Sequence, residues 1–191
     1  MRKSGSETCK PYENMPLSNH KKLFFLIGAS GSGKTTATKE LEKQGLVNFK
    51  ILYFDSIGVP SIEEMEENYG GPEEWQKAKT IEWVRIIKKD FLPNAHVLFD
   101  GQTRPSFIEQ ACQKNGITDF EVILFDCTDE ERKRRLVDRD QAYLADENMM
   151  NWAKYLRKEC QDRDYCVIDN THMKIEQTVT QLLAYLHELA L

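Results

Sequence analysis

Leu23-Phe24-Phe25-Leu26-Ile27-Gly28-Ala29-Ser30-Gly31-Ser32-Gly33-Lys34-Thr35 decides how the rest of this chain is read. Five consecutive apolar residues ending at glycine read as a strand covered on both faces, as in a parallel sheet. Residues 28–35 then satisfy G-x-x-x-x-G-K-[ST] in full. Gly28, Gly31 and Gly33 let the backbone turn through conformations closed to other residues and approach a ligand closely. Successive N–H groups, including those of Ala29, Ser30 and Ser32, then converge into a nest for phosphate oxygens. The helix opening near Lys34 adds its positive dipole end. Lys34 supplies a point charge to β- and γ-phosphates, Thr35 offers a hydroxyl to magnesium, and Thr36 is within reach of an α-phosphate. The spacing therefore implies a nucleoside triphosphate with Mg2+ as ligands, and the absence of the guanine-selective Asn-Lys-x-Asp pattern favours ATP among triphosphates.

Working outward, the same apolar texture returns four times, each time ahead of an aspartate: residues 51–54 before Asp55, 97–99 before Asp100, 122–125 before Asp126 and 165–168 before Asp169. Helical spacing fills the intervals. Thr35 to Gln44 stops at Gly45, a C-cap signal; Ile81, Val84, Ile87 and Phe91 recur three or four apart after a start near Pro72. Met149, Trp152, Leu156 and Cys160 repeat the pattern, as do Ile175, Val179, Leu182, Leu186 and Leu189. Strand and helix in alternation predict right-handed crossovers and a three-layer α/β/α sandwich. One domain is expected over residues 23–191, preceded by a loose polar arm over residues 1–22 with Pro11 and Pro16.

Bulk properties agree with a single globular domain of 191 residues, 40% hydrophobic and 30% charged. The formal charge of −5 speaks against nonspecific binding to nucleic acid or to an anionic membrane. No apolar run approaches the roughly 20 residues that span a bilayer. Five cysteines with no CxxC pair and no zinc spacing read as thiols in a reducing cytosol, and none is assigned to a site.

Motif and context together resemble the small P-loop kinases: nucleoside monophosphate kinases and shikimate-, gluconate- and chloramphenicol-kinase-like enzymes. That resemblance implies a five-stranded parallel sheet in the order 2-3-1-4-5. Asp100-Gly101-Gln102-Thr103-Arg104 looks like the strand-end Asp-Gly-x-x-Arg of adenylate-kinase-like members. By that similarity Asp100 sits beside the phosphate loop and holds magnesium, which favours hard oxygen ligands, and Arg104 reaches toward the acceptor. Gln102-Thr103 replaces the Phe-Pro common in monophosphate kinases. In hydroxyl-phosphorylating members an aspartate ending the second strand lies near the acceptor, which gives Asp55 the role of orienting or deprotonating a hydroxyl. For both aspartates a capping or turn role stays open.

Residues 129–139 read as a helix with acidic residues early and basic residues late, matching its dipole. Arg132, Lys133 and Arg134 are expected on its solvated face. Arg135 and Arg139, four apart, share one face. They also resemble the Arg-x-x-x-Arg leading into the lid of adenylate-kinase-like enzymes, where the arginines clamp ATP and neutralise developing charge. A short lid over about residues 140–148 follows, with Arg157 and Arg163 as further candidates for phosphate contact after closure. In related kinases the loop after the last strand borders the adenine, which points to Thr171. Acceptor-binding helices are expected over about residues 56–94, where Trp75 and Trp83 read as core more readily than as a pocket.

The sequence thus supports an ATP-dependent phosphotransferase acting on a small acceptor, with a hydroxyl as the receiving group. Lys34, Asp55, Arg135 and Arg139 are the catalytic candidates. A nucleoside monophosphate kinase and a nucleotide-dependent switch with slow hydrolysis are the alternatives.

Overall fold

The computed structural model describes residues 21–190. Nearly all of the expected arm over residues 1–22 lies outside the described residues. In chain order the elements are β1 Leu23–Ile27, α1 Lys34–Gln44, β2 Phe49–Tyr53, α2 Ile62–Tyr69, α3 Pro72–Ile86, β3 His96–Asp100, α4 Pro105–Asn115, β4 Phe120–Asp126, α5 Asp129–Val137, α6 Glu147–Asp162, β5 Cys166–Asp169 and α7 Ile175–Ala190. The five strands form one parallel sheet in the order β2-β3-β1-β4-β5. This is the order the family resemblance implies.

β1 is central and completely buried, which explains its uninterrupted apolar sequence. Its side chains alternate between two cores. Leu23, Phe25 and Ile27 face the layer holding Trp83, Val84, Ile108 and Leu156. Phe24 and Leu26 face Ala37, Leu41, Leu182 and Leu186. Trp75 and Trp83 are both core residues: Trp75 packs edge-on against Phe54, and the Trp83 indole N–H donates to the Phe54 carbonyl at 3.0 Å. Local signals set the ends of the helices. Gly45 closes α1 in the left-handed conformation at φ 66°, and Ser61 with Glu64 forms a reciprocal capping box on α2. Pro72 opens α3, which runs on through a wider π-type turn over Ile87–Phe91.

The fold thereby lines up the carboxyl ends of β1, β2 and β3, where crevices form in parallel sheets. Tyr53 of β2 pairs with Asp100 of β3, and Leu26 of β1 pairs with the same Asp100.

At the opposite end of the sheet His96 is buried, stacks on Phe49 and accepts the Lys22 N–H through Nδ1 at 3.0 Å. Burial pushes its pKa below the ordinary value, with Lys21 adding to the push and Asp119 opposing it. An unfolded imidazole titrates near about 6.5, so as pH falls the unfolded chain takes this proton first. The contribution is therefore complete above about 6.5 and is lost as pH drops through the lower folded value. Urea midpoints measured at about pH 7.5 and about pH 5.5 should fall more in wild type than in His96→Asn, which keeps an acceptor but cannot titrate.

Candidate active site

The loop between β1 and α1 is shaped by close packing at its glycines. Gly28, Gly31 and Gly33 have φ of 153°, 82° and 90°. A Cβ on Gly28 would lie 2.5 Å from the Phe125 carbonyl oxygen and 2.7 Å from Ser32 Oγ, so the main chain of β4 and the loop's own serine exclude it. Lys34 opens α1 and folds back over the loop, donating from Nζ to the Gly28 carbonyl at 2.6 Å. Its side chain is buried. Burial pulls its pKa down, while the Asp100 carboxylate acts in the opposite direction.

Asp100 lies beside this lysine at the end of β3. Thr38 donates to its Oδ2 at 3.2 Å, and the Thr35 hydroxyl is near enough to favour the charged carboxylate. Burial raises the Asp100 pKa, opposed by Lys34. Asp55 follows β2 in a single 3-10 turn over Phe54–Ile57 and is exposed. Its carboxylate acts electrostatically on both Lys34 and Asp100. Three residues separated widely in sequence are thus gathered at one end of the sheet.

Two features fit a triphosphate with a metal. The Ser32 hydroxyl is buried inside the loop without a hydrogen-bond partner among the described residues. The Thr35 hydroxyl and the Asp100 carboxylate are hard oxygen donors side by side. Among the described residues no group of three His, Cys, Asp or Glu could hold a metal. A magnesium ion would therefore take its remaining ligands from phosphate and water, as it commonly does.

On the far side of the loop a cavity of about 280 Å³ is lined by Gly33, Thr36, Arg135, Arg139, Asn170 and Met173, among others. Arg135 is locked into its wall: Nε donates to Glu131 at 2.7 Å, and Nη1 and Nη2 donate to the Asn170 side chain and carbonyl, both at 2.8 Å. Asn170 also donates to the Ser32 carbonyl at 2.8 Å, stitching the end of β5 to the loop. Arg139 is exposed, and its charge is felt at Lys34.

The packing corrects one expectation and shows the present partners of several other residues. Arg132 is not on a solvated face. It is fully buried, because the face of α5 that carries Leu136 also carries the residue four positions earlier. Thr171 does not line the cavity: its hydroxyl accepts the Thr128 N–H at 3.0 Å and donates to Asp169 at 2.6 Å. Asn170, Met173 and Ile175 line it instead. Arg157 pairs with Asp126 at the end of β4, and Arg163 pairs with Glu109 at 2.9 Å, so both are held by carboxylates.

Arg104 caps the start of α4 and is already engaged. Nη2 meets Glu73 at 2.9 Å, Nη1 meets Gln76 at 3.0 Å, and the guanidinium lies 5.0 Å from the Trp152 ring centroid. Gln76 also donates to the Gln102 carbonyl at 2.8 Å, while Thr103 and Thr80 share a hydrogen bond of 3.0 Å. Gln102-Thr103 therefore binds α3 to the end of β3. Gln76, Asn170 and Glu131 escaped sequence reasoning. Only Glu131 carried a signal, its four-residue spacing to Arg135.

A family model described as an AAA domain matches residues 25–149, which include the phosphate loop, both aspartates and Arg135 to Arg139. The chain belongs to that family. No curated protein matches this AAA-domain chain, but solved structures resemble it over most of its length. Shikimate kinase from Acinetobacter baumannii superposes with a TM-score of 0.58 at 14% identity, covering 88% of this chain and 94% of its own. Thymidylate kinase from Candida albicans gives 0.59 at 18%, covering 88% and 92%. A gluconokinase from Sinorhizobium meliloti gives 0.59 at 14%, covering 91% and 95%. The AAA-domain chain therefore has the fold of the small P-loop kinases. Among its described residues no helix is long and apolar enough to cross a membrane.

Proposed function

We propose that this protein transfers the γ-phosphoryl group of ATP to a hydroxyl of a small-molecule acceptor inside the cell. The observation that carries the reading is the convergence of Lys34, Asp55 and Asp100 at the ends of adjacent strands. Asp100 is buried and bonded to the Thr38 hydroxyl, whereas Asp55 is exposed. That division suits one carboxylate to a metal and the other to an acceptor.

In this reading the backbone from Gly28 to Thr36 holds the phosphates, with Lys34 and Arg135 placed against their charge. Arg139, at the entrance to the lid segment, adds a further positive charge. Thr35 and Asp100 would hold magnesium, which when bound spreads charge over the β- and γ-phosphates. Asp55 would orient the acceptor hydroxyl and take its proton. Arg104 borders the acceptor region, and its pairing with Glu73 favours an acceptor with no phosphate of its own over a nucleoside monophosphate.

The test is a metabolite-pool screen for phosphorylated product, run with wild type and Asp55→Asn. A product should form with wild type, and Asp55→Asn should slow its formation about 100-fold or more while binding Mg-ATP normally. Equal rates would remove Asp55 from the acceptor site. Efficient turnover of AMP or CMP would replace the hydroxyl reading with the monophosphate one.

A further inference from the structure

The phosphate loop rests on a buried guanidinium. Arg132 of α5 is completely excluded from solvent. Its Nη1 donates to the Ser30 carbonyl at 3.1 Å and to the Ala29 carbonyl at 3.5 Å. Its Nη2 donates to Asp126 Oδ1 at 2.7 Å and to the Cys127 carbonyl at 3.3 Å. A Cβ on Gly31 would lie 2.9 Å from Arg132 Cγ, so the loop lies directly on the arginine stem. Arg132 thus braces the outward limb of the loop, residues 29–31, from behind, beside the longer Cys127 Sγ contact to the Gly31 carbonyl at 3.9 Å.

Two details separate this from ordinary core packing. The other carboxylate oxygen of Asp126 is taken by Arg157, so two guanidiniums share one carboxylate beneath the loop, with Asp129 and Asp169 also acting on Arg157. Arg132 Nε is buried without a partner among the described residues. A buried ion pair is weak evidence for stability, because apolar residues of similar volume commonly do as well or better. A methionine could pack beside Leu136, but it could neither bind two loop carbonyls nor carry charge.

We propose that Arg132 is a positioning residue for triphosphate binding: it touches no ligand, holds the Ala29 and Ser30 carbonyls turned away from the phosphates, and leaves the N–H groups of that limb facing them. This rests on the loop being a nucleotide site, but not on the identity of the acceptor.

The test uses the full chain, with Mg-ATP and adenosine as probes in calorimetry and a thermal melt to establish folding. Arg132→Met leaves Asp126 paired with Arg157, so the fold should persist. Its Kd for Mg-ATP should rise tenfold or more while that for adenosine stays within twofold. Arg132→Lys, which keeps the charge but loses the fork, should fall between. A folded Arg132→Met that binds Mg-ATP within twofold of wild type overturns the proposal, as does an equal loss for adenosine. If Arg132→Met does not fold, Arg132→Lys decides by the same comparison. Failure of wild type itself to bind Mg-ATP would be a failure of the nucleotide reading instead.

Discussion

Lys34→Met is expected to lower phosphoryl transfer by about 100- to 1,000-fold, the loss typical of removing one donor from developing charge in a water-poor site. The ammonium is buried, bonded to the Gly28 carbonyl and within the electrostatic reach of the Asp100 and Asp55 carboxylates. Methionine keeps the length and apolar character of the stem, so α1 should remain packed. What it removes is the charge facing the phosphates, and with it the counterion of Asp100. Burial already raises the Asp100 pKa with Lys34 opposing, so the substitution should raise it further. Rates of ATP turnover with the acceptor found by the product screen would check this. Activity within threefold of wild type would show that Lys34 does not meet the transferred group.

Gly28→Ala is expected to be nearly as damaging, by a different route. The added carbon would sit 2.5 Å from a main-chain oxygen of β4, in the sheet's interior, where neither partner can rotate away. A φ of 153° adds strain for any L side chain. Overpacking of this kind costs about 1–3 kcal/mol, and backbone strain about as much again. The loop would have to lift off β4, taking Ser32 and the Lys34 tether with it. Denaturant unfolding should register a loss of about 3 kcal/mol or more, and Mg-ATP affinity should fall in the fraction that stays folded. Gly45→Ala, where nothing lies within 4 Å of the added carbon, controls for the positive-φ effect alone.

The layered fold was legible in the sequence because β1 is buried on both faces and so carries no polar residue to blur the pattern. β3, β4 and β5 end in Asp100, Asp126 and Asp169, and Asp55 follows β2 after one intervening residue, so an aspartate marks the carboxyl end of each later strand in the sequence. Arg132 was not legible. It sits in a run of charged residues whose dipole pattern suggests a solvated helix, and only its spacing to Leu136 hinted at burial. Asn170 gave no signal either. An asparagine after a strand reads as a loop residue, and its bond to Ser32 spans 138 positions of sequence. Thr171, the residue the sequence singled out in this loop, lies one position along and bonds Asp169 through its hydroxyl. Arg104 stood out through its place in Asp100-Gly101-Gln102-Thr103-Arg104, but its partners Glu73 and Gln76 lie on α3 and could be found only from the packing.

Everything proposed depends on the β1–α1 turn gripping a nucleotide by its phosphate chain. The most direct measurement is titration of Mg-ATP into the folded full chain by calorimetry, alongside adenosine. Saturable binding at one site per chain, much tighter for Mg-ATP than for adenosine, is the predicted result. A folded chain that releases no heat of binding with Mg-ATP, or that holds adenosine equally well, would contradict it.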